Sequence, residues 1–154
     1  MEKEIIGLDQ KDISEGTKAG LKKYENLNFL ERYALYIGVA QILEMRLKQI
    51  LVNEFGEIFD NLEEWTLGRV LSKFKKEGIR EDFILLADSV KDARNYIVHE
   101  LISNEAIWHS LAKSEPEHYS KGARTLDKAI YEIEQLMFIL EWNDENGKWN
   151  ENCT

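Results

Sequence analysis

Apolar residues recur with a helical period along most of this chain. Between residues 29 and 55, Leu30, Tyr33, Ile37, Ala40, Leu47 and Leu51 follow alternating steps of three and four, as on the face that an α-helix turns toward a core. Glu44 occupies the one polar place in that series, where a carboxylate needs a partner, a proton or a position at the rim. Asn28 precedes the stripe and Glu31 stands three residues on, the pattern of a capping box, and Gly56 closes the helix.

Thr66 caps a shorter helix over residues 67 to 77, which Gly78 ends. The next helix begins near Glu81 or Asp82, turns Phe83, Leu86, Ala87, Val90 and Ala93 inward, and continues to about residue 102. Residues 103 to 120 read as a loop containing Trp108, His109, Pro116 and His118. A last helix over residues 121 to 142 has a core face of Leu126, Ile130, Ile133, Met137 and Leu140. Residues 1–26 form a polar N-terminal segment with a short helix around residues 14 to 24, capped by Ser14. Residues 143–154 read as a frayed polar tail, with Trp149 able to tack it down. The expectation is a single all-α domain over residues 1–154, an up-and-down bundle of four to five helices without a convincing strand.

Composition narrows the picture. A chain of 154 residues with 44% hydrophobic and 32% charged residues is long enough for a core and too apolar for disorder. The single proline suits long helices. No apolar run approaches the ~20 residues of a membrane span, and the N-terminal residues lack the features of a signal peptide. One cysteine, Cys153, has no internal disulfide partner, and a cytoplasmic setting is expected. The net charge of -9 argues against a broad nucleic-acid-binding surface, so no DNA partner is expected. It permits a small basic cleft, and it suits a basic protein partner.

Candidate chemistry concentrates in Arg94-Asn95-Tyr96-Ile97-Val98-His99. Cleaving RNA without a metal requires a base for the 2′-hydroxyl, a cation for the charge that builds on the phosphate, and an acid for the departing 5′-oxygen. Histidine serves as base or acid near neutrality. Arginine keeps its charge, and its fork matches phosphate oxygens. On a regular helix, residues five apart point roughly 140° from each other. Arg94 and His99 therefore share one phosphate only if the helix is irregular, if the arginine curls round, or if two copies of the segment face each other in a dimer. Asn95 and His99 lie four apart, on one face.

This run resembles the arginine-polar-x3-histidine signature of HEPN domains, an all-helical family. Arg94, Asn95 and His99 match the three signature positions. The apolar pair Leu101-Ile102 follows, and a Leu67-Gly68 pair opens the preceding helix, as in several HEPN and mannitol-repressor-like proteins. The resemblance spans residues 28 to 141 as architecture and six residues in detail. It implies a HEPN-like fold and a metal-independent endoribonuclease of toxin–antitoxin or phage-defence type, working as a homodimer with the two motifs in one cleft. Arg94, His99 and Asn95 would be catalytic. Glu44 would support them by holding Arg94 in a bidentate pair, and Tyr96 by stacking on a base or donating a hydrogen bond.

Plainer readings stand beside these. In them Arg94 pairs with Asp88 or Asp92, His99 ends a helix, Glu44 pairs with Lys48 at i,i+4, and Tyr96 packs. His109 and His118 read as solvated, because no tight ligand pair supports a metal site. Lys73-Phe74-Lys75-Lys76, the one dense basic cluster, reads as a solvated helix end. There is no phosphate-cradling glycine loop, and no cofactor is expected. The competing function is a non-catalytic HEPN-like module that binds protein as an antitoxin, immunity or regulatory protein. An antitoxin is equally conceivable as the partner of a nuclease.

Overall fold

Helix ends fall where side chains satisfy orphaned backbone groups. The computed structural model describes residues 8–101 and 121–150. Within them run six α-helices: α1 Gln10–Leu21, α2 Phe29–Phe55, α3 Phe59–Leu62, α4 Leu67–Lys76, α5 Glu81–Tyr96 and α6 Lys121–Asn146. Asn28 and Glu31 form the complete capping box of α2, and Thr66 accepts the Arg69 amide at the start of α4. Gly56 and Gly78 take left-handed backbone, at φ 72° and 74°, after α2 and α4. The 103 to 120 loop, with Trp108, His109, Pro116 and His118, lies outside the described residues.

The molecule is an all-α helical bundle, with no strand among the described residues. Two arginines of α2 tie it to α6. Arg32 pairs with Asp127, and Arg46 forks onto Glu141 at 2.9 and 3.1 Å and reaches Asp144 at 3.1 Å. The pairs keep the same spacing along both helices, so α2 and α6 run parallel. α1 packs antiparallel on α6, with Gly16 beneath the Phe138 ring and Gly20 beneath Glu134. Glu134 is buried, accepts the Tyr24 hydroxyl at 3.0 Å and pairs with Lys23. Residues 10–21 of the N-terminal segment thus form an integral helix, and its cap is Asp9 rather than Ser14.

Through residue 150 the tail is not frayed, and Trp149 tacks it down as its place in the sequence allowed. α6 continues to Asn146, Gly147 turns the chain at φ 61°, and Trp149 is 3% exposed. Its ring meets Phe83 edge-on at 5.5 Å and Phe74 at 6.2 Å, and its carbonyl accepts the Arg80 amide at 3.0 Å. Residues 143–150 are therefore folded rather than frayed, because the indole packs on Phe74 and Phe83, which flank the turn between α4 and α5. Residues 151–154 lie outside the described range.

The core stripe of α2 is Tyr36, Val39, Ala40, Leu43, Leu47, Ile50 and Leu51. Leu30 is 36% exposed, and Tyr33 and Ile37 are half-buried. The sequence pattern placed the first half of the stripe on the neighbouring face. Apolar residues surround this helix, with Ile42 and Met45 on its exposed side, and periodicity alone does not choose among them.

Two outcomes are expected. Gly16→Ala lowers stability by about 1–3 kcal/mol, read from the urea midpoint, because a Cβ there collides with the Phe138 ring. The Tyr24 phenol is pushed well above its ordinary value, first by burial and then by the Glu134 carboxylate. A raised folded value stabilises fully below the unfolded value of about 10, and the contribution is lost as the pH rises beyond it. Urea midpoints should therefore fall between pH 9 and 11, and fall less steeply for Tyr24→Phe.

Candidate active site

The motif lies where α5 changes its hydrogen bonding. Residues through Tyr96 are α-helical, and Ile97–Leu101 form a π turn. Bonding from i to i+5 widens the turn, so each residue advances by less than the ~100° of an α-helix. His99 therefore swings back toward Arg94 from the ~140° offset of a straight helix. Helix irregularity, one of the three routes by which the motif was expected to close, is present at Ile97–Leu101. Ile97 and Leu101 are buried and anchor the turn, and His99 is exposed.

Arg94 is half-buried, its side chain 25% exposed, and its Nη2 lies 3.4 Å from Glu44 Oε2. Asp88 and Asp92 do not take it. Asp88 faces Lys75 at 3.0 Å and Lys91 at 3.6 Å, and Asp92 faces Lys91 at 3.6 Å. The expected bidentate clasp is replaced by a divided one, because Glu44 Oε1 turns to Lys48 Nζ at 3.3 Å. The anchoring and i,i+4 readings of Glu44 are thus both realised, one on each oxygen. Lys48 also donates to the Glu63 carbonyl at 2.9 Å. Glu44 sits at the rim of the core, 21% exposed, beside the buried Leu43 and Leu47.

Asn95 is exposed and accepts from Arg94 Nη1 at 3.4 Å. Its described contact is thus with the guanidinium and not with the imidazole. His99 has no hydrogen bond or ion pair among the described residues. Tyr96 is half-buried against the core and is not free of partners. The structure brings Arg94, Asn95, Glu44 and Lys48 together and leaves His99 at the adjoining surface. The 73–76 cluster is no free basic patch. Phe74 is core, Lys73 is shared by Glu57 and Glu77 at 3.0 Å each, and Lys75 meets Asp88.

Sequence reasoning missed Tyr36. It is 0% exposed, and its hydroxyl is buried without a hydrogen-bond partner among the described residues. Burial pushes the phenol well above its ordinary value. The nearby Arg94 charge pulls it down, and Glu132 pushes it up. Glu132 itself accepts from Ser89 at 3.1 Å. The available signal was spacing: Tyr36, Ala40, Glu44 and Lys48 form one i,i+4 ridge of α2.

No protein-family model matches this chain, and neither a curated protein nor a solved structure matches it. The HEPN resemblance accordingly rests on the six motif residues and their helical setting.

Tyr36→Phe removes a buried hydroxyl that has no hydrogen-bond partner among the described residues. It should raise stability by about 1 kcal/mol, measured by denaturant unfolding. Any activity it loses is then separable from folding.

Proposed function

We propose that this chain is a metal-independent endoribonuclease of HEPN type that cleaves single-stranded or loop RNA at a composite site in a homodimer. The observation that carries the reading is the π turn within the Arg94–His99 run. It draws an exposed imidazole toward the side of an arginine that a carboxylate holds in place. Unusual helical bonding of this kind is concentrated at functional sites.

In the proposed reaction, the Arg94 fork binds the non-bridging oxygens of the scissile phosphate and stabilises the charge that develops on them. An imidazole takes the proton of the 2′-hydroxyl, and the 2′-oxygen bonds to phosphorus. The P–O5′ bond breaks, and the 5′-oxygen leaves with a proton from an acid. The products are a 2′,3′-cyclic phosphate and a 5′-hydroxyl. A single imidazole does not serve as base and acid in the same step, and the second protomer of the dimer supplies the other. Asn95 braces the guanidinium. The net charge of -9 suits a small cleft rather than an extended RNA track.

Arg94→Ala and His99→Ala should each lower cleavage of single-stranded RNA by about a hundredfold or more, with helical content and dimerisation unchanged. EDTA should leave the wild-type rate as it is. Cleavage that persists in the double variant would sink the proposal. A chain that never cuts RNA, yet retains a basic protein partner through its acidic surface, would favour the protein-binding module.

A further inference from the structure

Lys48 lies on a core-facing ridge of α2 and is 6% exposed. Lysines are almost never buried to that extent without fixed partners. This one has two, the Glu63 carbonyl at 2.9 Å and Glu44 Oε1 at 3.3 Å. The first contact locates the ammonium at the chain segment between α3 and α4. The second places it on the far side of the carboxylate that faces Arg94.

Charge is what this arrangement changes. An arginine bound by a private carboxylate is a neutral pair and attracts an anion weakly. Here one carboxylate serves two cations, so one positive charge in the trio is uncompensated. Glu44 holds Arg94 by one long contact of 3.4 Å rather than a two-pronged clasp, and Asn95 accepts from Nη1 at 3.4 Å, which leaves the remaining donors of its fork for another anion. Lys48 is too deep to reach such a ligand well, and it acts through Glu44. In a chain of net charge -9, an uncompensated cation at one point focuses phosphate there.

We infer that Lys48 is a positioning residue of the phosphate-binding site: by taking one oxygen of Glu44, it keeps Arg94 both oriented and net cationic toward an RNA phosphate. This rests on the ribonuclease reading for the identity of the ligand, and its test does not depend on cleavage.

The probe is a short mixed-sequence RNA with every 2′-hydroxyl methylated, which lacks the nucleophile and is not cut by this chemistry. Its affinity for the full chain is measured by fluorescence anisotropy over a salt series, beside thermal unfolding of each variant. Lys48→Met keeps the apolar stem and removes the charge. It should bind about fivefold more weakly than wild type, with a shallower salt dependence, and Lys48→Arg should restore both. Glu44→Gln unmasks both cations and should bind more tightly than wild type.

A Lys48→Met protein that is less stable but equal to wild type in affinity and salt slope would make Lys48 a structural clip only, and would overturn the inference. Glu44→Gln binding no tighter than wild type would also overturn it, and decides the matter if Lys48→Met does not fold. The two proposals fail separately. If the affinities order as expected while wild type leaves unmodified RNA intact, the ribonuclease reading falls and the role of Lys48 stands. If RNA is cut and the affinities do not order so, the inference falls alone.

Discussion

Glu44 divides its two oxygens between Arg94 on α5 and Lys48 one turn along its own helix. A carboxylate at the rim of an apolar core keeps its charge where cations compensate it, and here the compensation comes from two directions. One direction links α2 to α5. The other links α2 to the segment between α3 and α4 through the Glu63 carbonyl. The motif arginine is thus oriented from beneath by groups that are not part of the motif.

The bundle supplies the rigidity that this arrangement needs. α2 is clamped to α6 at two levels by Arg32 and Arg46. α6 is covered by α1, whose Gly16 and Gly20 allow close approach. Trp149 covers the turn end of the α4–α5 hairpin through Phe74 and Phe83. With both parent helices fixed, the ridge of Tyr36, Ala40, Glu44 and Lys48 meets Arg94 in one register. The buried Tyr36 hydroxyl, without a hydrogen-bond partner among the described residues, lies on the same ridge.

Much of the architecture was legible from local chemistry. The capping box at Asn28 and Glu31, the Thr66 cap and the left-handed glycines at 56 and 78 mark helix ends through contacts within a few residues. Such contacts depend little on the rest of the fold. The face of α2 was legible only in part, because Tyr36 and Ile37, or Leu43 and Glu44, are adjacent residues on a helix that is apolar on more than one side. The choice between them is made by the helices that pack there. The parallel course of α6 beside α2 and the ordered tail through Trp149 depend on partners far away in sequence, and local patterning carries no signal for either.

At the site, the sequence by itself determined the chemical inventory: an arginine, an amide and an imidazole in one short run, a misplaced carboxylate on an earlier helix, and a lysine four residues beyond it. It also determined a constraint, that five residues on a straight helix hold the arginine and histidine apart. The tertiary structure alone decided where the helix departs from α geometry and where the charges go. The π turn at Ile97–Leu101 is a departure from the local helical preference, and packing of Ile97 and Leu101 into the core helps to hold it. The division of Glu44 between two cations requires α2, α5 and the segment before α4 to meet at one point, and that meeting belongs to the folded chain as a whole.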